Sequence, residues 1–256
     1  MSSLGGKVAV VSGSSLGIGA AVIRELSKRG AKVVINYPNA REERNAIKLQ
    51  QSLPNEAILV EADLSTLEGA RKLADTAAAE FGKIDILVNN AGINIALPLD
   101  DPDDTKFDEI WDRIVNLNGK GTARLTRAVL KHLSPSNSRI VNIGSGVSHS
   151  ADPGQGIYAG SKGMIESLTR VWAKELPRKY GCTVNLVAPG PVATEGFLAA
   201  PAEMTLALQP MLDATPVASR AGSPAEVAYA VAILCEVEAG WINGVYLPVT
   251  GGSVVL

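Results

Sequence analysis

Tyr158 and Lys162 lie four residues apart in the segment Tyr-Ala-Gly-Ser-Lys. In a helix this spacing places both side chains on one face. A free phenol has a pKa of about 10, and a nearby ammonium lowers that pKa towards neutral pH. Ser145 lies thirteen residues upstream, just after the apolar run 139–143, which is typical of a strand. Brought together, these groups could hold and protonate a carbonyl oxygen beside a hydride donor.

The same pair also has a simpler explanation. Tyr-x-x-x-Lys arises by chance in many helices, where both side chains lie on the surface. The chemical hypothesis therefore depends on two further features. The fold must bring Ser145 close to the pair, and the chain must offer a site for the hydride donor.

Short apolar runs alternate along the chain with stretches of helical length. The runs are rich in β-branched residues and cover residues 7–11, 32–36, 57–61, 84–89, 139–143, 183–188 and 244–249. Nearly continuous apolar character indicates strands that are buried on both faces, as in a parallel sheet. Strands that alternate with helices form right-handed βαβ units. We therefore predict a doubly wound α/β fold of the Rossmann type, with a seven-stranded, mainly parallel sheet and helices on both faces.

Residues 67–81 show the periodicity of an amphipathic helix, with Ala70, Leu73 and Ala77 on one side. The residues before and at its start, 65–68, read Ser-Thr-Leu-Glu and match the pattern of a capping box. We therefore expect a helix over residues 67–81 that is capped by Ser65.

The composition is typical of a globular protein, with 256 residues and a net charge of −2. This charge gives no reason to expect nucleic acid, and no apolar stretch reaches the roughly 18 residues of a membrane span. The first residues run into the first strand without a basic and apolar leader, so we expect a cytoplasmic location. Cys182 and Cys235 fit neither a disulfide framework nor a CxxC site, and we expect two small buried side chains.

The first strand leads into a glycine-rich turn, residues 13–19, and then into a helix expected over residues 20–29. Gly13, Gly17 and Gly19 let the backbone approach a phosphate and adopt positive φ angles. A helix that follows such a turn binds pyrophosphate with its N-terminal amides. The spacing differs from the common GxGxxG pattern, and an ordinary connection is the alternative.

The end of the second strand bears on the choice between NAD and NADP. A carboxylate there would bind the adenosine ribose of NAD. The chain has Asn36, Tyr37 and Asn39 instead, followed by Arg41. No carboxylate repels a 2′-phosphate at these positions, and Arg41 could reach one, although a solvated surface position suits it equally. We therefore favour NADP(H), with NAD(H) as the alternative.

We expect a single dinucleotide-binding domain over residues 1–256, because no linker rich in proline, glycine or serine interrupts the alternation. Segment 191–216 departs from it and is rich in alanine, proline and methionine. An insertion at the carboxyl edge of such a sheet covers the ligand crevice. Apolar candidates for a substrate pocket are Phe197, Leu198, Met204 and Met211, although Leu198 could equally pack within the insertion.

Four motifs now coincide in one chain. They are the glycine turn, Asn-Asn-Ala-Gly over residues 89–92, Ser145, and Tyr158 with Lys162. In their order and spacing they resemble the short-chain dehydrogenase/reductase family, in the branch with chains of about this length. The resemblance covers residues 7–252, essentially the whole chain.

The resemblance implies a catalytic tetrad. Asn118 matches the family's helix asparagine and would bind a water that links Lys162 to solvent, with Asn116 as the nearby alternative. Ser145 would donate to the substrate carbonyl oxygen, and Tyr158 would deliver the proton. Lys162 would lower the pKa of Tyr158 and hold the nicotinamide ribose.

The resemblance also implies a set of cofactor contacts. Asp63 matches the residue that contacts adenine, although it could simply be an acid before a helix. Asn90 would line the cofactor or chiefly brace the fourth strand. The implied set comprises Gly13, Ser15, Gly17, Ile18, Gly19, Tyr37, Asn39, Arg41, Asp63, Asn90, Ala91, Gly92, Tyr158, Lys162, Pro189, Gly190, Val192 and Thr194.

Other residues weaken the preference for NADP(H) or argue against other kinds of site. Leu16 occupies a position where many NADPH-preferring members carry a basic residue, which weakens the preference for NADP(H). His149 could face the substrate pocket, although a loop histidine is more often on the surface. His132 and His149 lie far apart without a carboxylate cluster, so we expect no metal site. Ser145 lies in Ile-Gly-Ser-Gly, which lacks the GxSxG elbow of a hydrolase.

The sequence therefore predicts the NADPH-dependent reduction of a ketone to an alcohol, with Tyr158 as the proton donor. The same residues serve the reverse reaction, so NAD-dependent alcohol oxidation is the nearest alternative. A non-redox role for a bound nicotinamide cofactor is a further one. The expected partner is a small-molecule carbonyl or alcohol substrate, and the family resemblance implies other copies of the chain, in a homotetramer or homodimer. No nucleic acid or membrane partner is expected.

Overall fold

The computed structural model of the protein is a parallel sheet covered by helices on both faces. It describes residues 3–150, 152–199 and 202–255, without the side chains of residues 202–205 and 207. The strands in these ranges are β1 Val8–Val11, β2 Lys32–Tyr37, β3 Ala57–Glu61, β4 Ile86–Asn89, β5 Ser138–Ile143, β6 Cys182–Pro189 and β7 Tyr246–Val249. They form one sheet in the order β3-β2-β1-β4-β5-β6-β7, and all neighbours are parallel.

Each predicted apolar run contains a strand, which confirms the predicted fold class. Strand β1 begins one residue later than expected, and β4 and β7 each begin two residues later. Asp85 precedes β4 and uses its carboxylate to accept from the Val8 amide. Gly244 has a φ of +77°, which is outside the extended region, so β7 begins at Tyr246.

Helices fill the connections between the strands. The α-helices in the described ranges are α1 Gly17–Lys28, α2 Ala40–Gln51, α3 Leu67–Phe81, α4 Asp104–Ile114, α5 Thr122–Val129, α6 Val147–Ser150, α7 Gly156–Glu175, α8 Pro177–Tyr180, α9 Glu195–Leu198, α10 Ala202–Asp213 and α11 Pro224–Cys235. The first helix begins three residues earlier than predicted, because the end of the glycine turn is already helical. None of the helices in these ranges is both long and apolar enough to cross a membrane.

The bounds of α3 agree with the prediction, but its predicted cap is wrong. Thr66 is the N-cap, and its hydroxyl accepts from the Gly69 amide at 2.9 Å. Ser65 instead donates its amide to Asp63 Oδ1 at 2.9 Å. The tight turn at Asp63 therefore shifts the helix start by one residue relative to the capping-box pattern.

The sheet has an apolar layer on each face. Ala9 and Val11 in β1 pack into one layer, whereas Val10 between them packs into the other. Successive side chains of a strand point to opposite faces, so a strand covered on both sides is apolar throughout. Cys182 and Cys235 are free and buried in these layers, as expected.

The order of the strands determines where a ligand can bind. The connections run to one side from β1 to β3 and to the other side from β4 to β7. In open α/β sheets the crevice at this reversal, outside the carboxyl ends of the strands, is the usual ligand site. The segment with α9 and α10 follows β6 at the same edge.

Candidate active site

A cavity of about 710 Å³ lies at the carboxyl edge of the sheet. The glycine turn and the residues that follow β2, β4, β5 and β6 line it. All of the implied cofactor contacts line this cavity except Tyr37, Asn39 and Arg41.

Two asparagines hold the glycine turn in place. The Gly13 amide donates to Asn36 Oδ1 at 2.9 Å, and Asn90 Nδ2 donates to the Ser12 and Gly13 carbonyls at 2.9 and 2.8 Å. A Cβ on Gly19 would lie 2.5 Å from the Gly13 carbonyl oxygen. Only glycine fits there, and the backbone forms a close cradle for a phosphate. Asn90 lines the cavity, and its side chain bonds to the glycine turn after β1 rather than within the fourth strand.

The N-terminus of α1 meets a carboxylate from the segment after β6. Gly17, with a φ of +58°, opens this helix without a side-chain cap. Its amide donates to Glu195 Oε2 at 3.0 Å. Thr194, the residue before Glu195, caps α9 and lines the cavity. An anion at a helix N-terminus is stabilised by the free amides and the helix dipole, so Glu195 holds the position suited to a pyrophosphate.

The residues that line the end of the cavity beside β2 are not the ones that the sequence predicted. Asn39 caps α2 by accepting from the Arg41 amide at 3.1 Å, and Arg41 does not line the cavity. Glu42 lines it instead and accepts from the Ser15 hydroxyl at 3.0 Å. Successive helical residues point about 100° apart, so the start of α2 decides which of the two faces inward. Tyr37 is buried in the core.

Asp63 also has two functions here. It lines the cavity, as the family resemblance implies, and its carboxylate accepts from Ser65 before α3. The two alternatives considered for this residue are therefore compatible.

The groups that the family resemblance implies as catalytic line the same cavity. Ser145 follows β5, and Tyr158 and Lys162 lie one turn apart in α7. The Ser145 side chain lies beside Tyr158, close enough to influence its pKa. Lys162 Nζ donates to the Ile143 carbonyl at 2.9 Å and lies 5.7 Å from the centre of the Tyr158 ring.

Burial dominates the ionisation of these groups. It raises the pKa of Tyr158, and the neighbouring Ser145 side chain opposes that effect. Burial also lowers the pKa of Lys162 to about 8. In the protein alone, burial keeps the pKa of Tyr158 above its ordinary value, and the effect expected of Lys162 on that pKa stays a prediction.

Asn118 lies in a π-helical segment, Val115–Gly121, between α4 and α5. Its side chain accepts from the Ile93 amide at 2.9 Å and donates to the Ile93 carbonyl and the Ser161 hydroxyl, each at 3.0 Å. Such segments often mark functional sites. Asn118 thus ties the strand end after β4 to α7, whereas Asn116 accepts from Lys120.

A second cavity, of about 560 Å³, adjoins the first, and Ser145 and Tyr158 line both. Of the four apolar pocket candidates, Phe197 and Met211 line this second cavity. Leu198 is 72% exposed and lines neither cavity. The side chain of Met204 lies outside the described residues.

His149 does not face the substrate side. Its Nε2 lies 2.9 Å from Glu166 Oε2, and its ring packs edge-on against Tyr246. Within the described ranges, no group of three or more His, Cys, Asp or Glu side chains is placed to hold a metal ion.

Sequence reasoning missed Glu42, Glu195 and Leu208, which also line the cavities. Glu195 directly follows the predicted contact Thr194, and Glu42 directly follows Arg41. These adjacent positions were the available signal, but which way each side chain points depends on the caps of α2 and α9.

Comparison with known proteins extends over nearly the whole chain. A family model described as enoyl-(acyl carrier protein) reductase matches residues 13–253. The short-chain dehydrogenase/reductase FrzI of Cladobotryum sp is 38% identical over 254 residues, covering 98% of this chain and 96% of that relative.

Two solved structures share the fold closely. A short chain dehydrogenase from Burkholderia cenocepacia J2315, in complex with NADP, has a TM-score of 0.87 and 33% identity, with 98% of each chain covered. A blue fluorescent protein from a metagenomic library, in complex with NADPH, has a TM-score of 0.90 and 32% identity, with 99% of this chain and 100% of that chain covered.

Proposed function

This chain belongs to the short-chain dehydrogenase/reductase family of oxidoreductases, and we propose that it reduces a carbonyl compound to an alcohol with NADPH. The observation that carries the proposal is the position of Ser145 and Tyr158, which line both cavities, with Lys162 beside them in the first. A substrate oxygen bound between the two hydroxyl groups would lie where cofactor and substrate meet.

The residues divide the reaction between them. Ser145 and Tyr158 donate hydrogen bonds to the carbonyl oxygen and stabilise the negative charge that develops there. The raised pKa of Tyr158 keeps the phenol protonated at neutral pH, so it has a proton to donate to that oxygen. The bound nicotinamide supplies the hydride. Once Tyr158 has lost its proton, the nearby Lys162 ammonium stabilises the phenolate.

The first cavity provides groups for each part of a dinucleotide. The turn at Gly13 and Gly19 and the N-terminal amides of α1 suit the pyrophosphate. Lys162 suits the nicotinamide ribose, and Pro189 and Thr194 suit the nicotinamide. Asn118 acts as a positioning residue, because its side chain connects Ile93 with Ser161 near Lys162.

The preference for NADPH has support from two sides. The Burkholderia neighbour is in complex with NADP, and the metagenomic neighbour is in complex with NADPH. In this chain β2 ends in Asn36 and Tyr37 rather than in a carboxylate. Glu42 opposes the preference, since its carboxylate must turn away from Ser15 to admit a 2′-phosphate.

The variant Tyr158→Phe tests the assignment of the proton donor. We expect turnover of a ketone to fall by about a hundred- to ten-thousandfold, because general acid catalysis is lost. The dissociation constant for NADPH, measured by the quenching of tryptophan fluorescence, should stay within about twofold. Near-normal turnover by the phenylalanine variant would refute the assignment.

A panel of substrates separates the competing functions. Ketones, alcohols and one α,β-unsaturated ketone are assayed with NADPH and NADH at the nicotinamide absorbance, and the products are identified. Reduction of the C=C bond alone would favour the enoyl reduction named in the matching family model. Oxidation of alcohols with NAD alone would favour the reverse reaction. Tight cofactor binding without any turnover would favour a non-redox role.

We also propose that the chain assembles with copies of itself, as a homodimer or homotetramer. Large apolar side chains are exposed near the C-terminal strand, including Trp241 at 99% and Tyr229 at 59%. Trp111 on α4 is also exposed. In this proposal these exposed apolar side chains contribute to the contact between copies. Light scattering should report a multiple of 26.7 kDa, and a monomeric mass would contradict the proposal.

A further inference from the structure

The second cavity offers the space into which a substrate would extend from Tyr158. Its volume of about 560 Å³ lies within the range of about 300–1,000 Å³ that is typical of small-molecule pockets. Much of its wall is apolar. The apolar side chains include Pro153, Pro191, Phe197, Leu208, Met211 and Val254.

Asp152 and Gln155 interrupt this apolar wall with hydrogen-bond acceptors. One carboxylate oxygen of Asp152 accepts from the Ser150 hydroxyl at 2.8 Å. The side-chain oxygen of Gln155, just before α7, is buried and accepts no hydrogen bond from the residues that the structure describes. Only one of the two Asp152 carboxylate oxygens accepts from Ser150, so this carboxylate can accept a further hydrogen bond from a ligand that brings a donor.

The charge of the cavity is negative. Asp152 lines it, and no lysine, arginine or histidine does so among the residues with described side chains. Positions 151, 200–205 and 207, whose side chains are not described, hold no cationic residue either. An anionic substrate would therefore lose hydration and meet a like charge without a compensating cation.

We propose, as a refinement that rests on the proposed function, that the substrate is an uncharged carbonyl compound with a hydroxyl group remote from the reacting carbonyl. The hydroxyl donates to Asp152, and the carbon skeleton packs against the apolar wall. The carbonyl oxygen lies at Ser145 and Tyr158. A hydroxyl fits better than an ammonium, because the apolar wall cannot replace the hydration of a cation.

Ketones with one skeleton and different remote groups test this inference. A cyclic aryl ketone carries a remote hydroxyl, methoxy, aminomethyl or carboxylate group, and kcat/KM is measured with NADPH. We expect the hydroxy ketone to exceed the methoxy ketone by about ten- to hundredfold, which is typical of a hydrogen bond to a charged group. The carboxylate should be the poorest substrate.

Two variants assign the preference to Asp152. Asp152→Asn should remove most of the preference for hydroxyl over methoxy and improve the use of the carboxylate. Ser150→Ala leaves the carboxylate in place and should keep the preference. Asp108→Asn, which makes the same change in charge on the exposed face of α4, is the control. Binding of the corresponding hydroxy alcohol to the protein without cofactor, measured by calorimetry, should weaken only in Asp152→Asn.

The outcomes separate this inference from the proposed function. Turnover of several ketones without a preference for the hydroxyl would overturn the inference and leave the proposed function intact. A preference that survives in Asp152→Asn would also overturn it, as would faster reduction of the aminomethyl or carboxylate ketone by the unmodified protein. Failure to reduce any ketone with either cofactor would instead refute the proposed function.

Discussion

Asp85 and Lys162 are both buried ionisable groups, but they lie at opposite edges of the sheet in different environments. At the amino edge, the Asp85 carboxylate accepts from the Val8 amide, the Ser134 hydroxyl and the ammonium groups of Lys7 and Lys83. At the carboxyl edge, the Lys162 ammonium donates to the Ile143 carbonyl.

Both pKa values are lowered, which favours the charged form of the Asp85 carboxylate but the uncharged form of the Lys162 amine. Burial opposes the charge of Asp85, yet its partners outweigh burial and hold its pKa below the ordinary value, so the charged form is favoured. Burial lowers the pKa of Lys162 to about 8, so its charged form is disfavoured. A buried charge with enough partners stabilises the fold, whereas one with few partners stays ready to exchange a proton.

Among the variants that compare the two edges, removing the Lys162 ammonium should produce the largest effect. In Lys162→Met we expect turnover to fall about a hundredfold or more, because the Tyr158 phenolate loses its stabilising charge. The unfolding free energy at pH 7 should rise by about 2 kcal/mol. The difference between 10.5 and about 8 corresponds to about 3 kcal/mol, and the lost bond to Ile143 offsets about 1 kcal/mol.

The pH dependence of this increase in unfolding free energy tests whether the Lys162 charge causes it. Between pH 8 and 10.5 the unfolded protein binds more protons at Lys162 than the folded protein, so the unmodified protein gains stability as pH rises. The methionine variant lacks this gain, and its advantage should shrink towards pH 10. Urea denaturation at pH 7, 8.5 and 10 measures it, and a constant difference would contradict the explanation.

Asp85→Asn should give the opposite result. We expect a loss of about 2 kcal/mol of unfolding free energy at pH 7, because hydrogen bonds to a charged group are lost. Turnover per folded molecule should not change. For the unmodified protein this contribution is present above the unfolded pKa of Asp85 and is lost as pH falls through the folded one. Equal stability of both proteins at pH 7 would show that Asp85 does not stabilise the amino edge.

Glu195→Gln tests how the carboxylate at the N-terminus of α1, at the carboxyl edge of the sheet, affects cofactor binding. Removing this charge should strengthen the binding of NADPH and NADH alike by about fivefold, or about 1 kcal/mol, because both carry the pyrophosphate. Fluorescence titration measures both constants, and Glu238→Gln, exposed and outside both cavities, is the control. Weaker binding of both cofactors would mean that Glu195 assists the phosphates instead.

Glu42→Gln should have the smallest effect, and only on one cofactor. The change removes a charge that opposes the 2′-phosphate, so we expect the dissociation constant for NADPH to fall a few-fold while that for NADH stays the same. The ratio of the two constants is the measured quantity. An unchanged ratio would place the 2′-phosphate away from Glu42 and Ser15.

Local rules account for the residues that could be selected from the sequence. Tyr158 and Lys162 share a face because helical geometry requires it, and Ser145 lies at a strand end that the apolar run marks. The choice between Arg41 and Glu42 could not be predicted. A helix start shifted by one residue would change which of these two side chains faces the cavity, and the Asn39 cap fixes that start. The contact between Gly17 and Glu195 joins residues 178 positions apart, beyond any local pattern.

The sequence by itself determined the alternation of strands and helices, the glycine turn and which residues are proposed to react. Hydrophobic periodicity and the conformational freedom of glycine act over a few residues, so they can be read locally. Only the tertiary structure decided that the pKa of Tyr158 is raised and which carboxylates enter the cavities. Burial and long-range contacts are properties of the packed chain, and they set both the hydration of a charge and its neighbours.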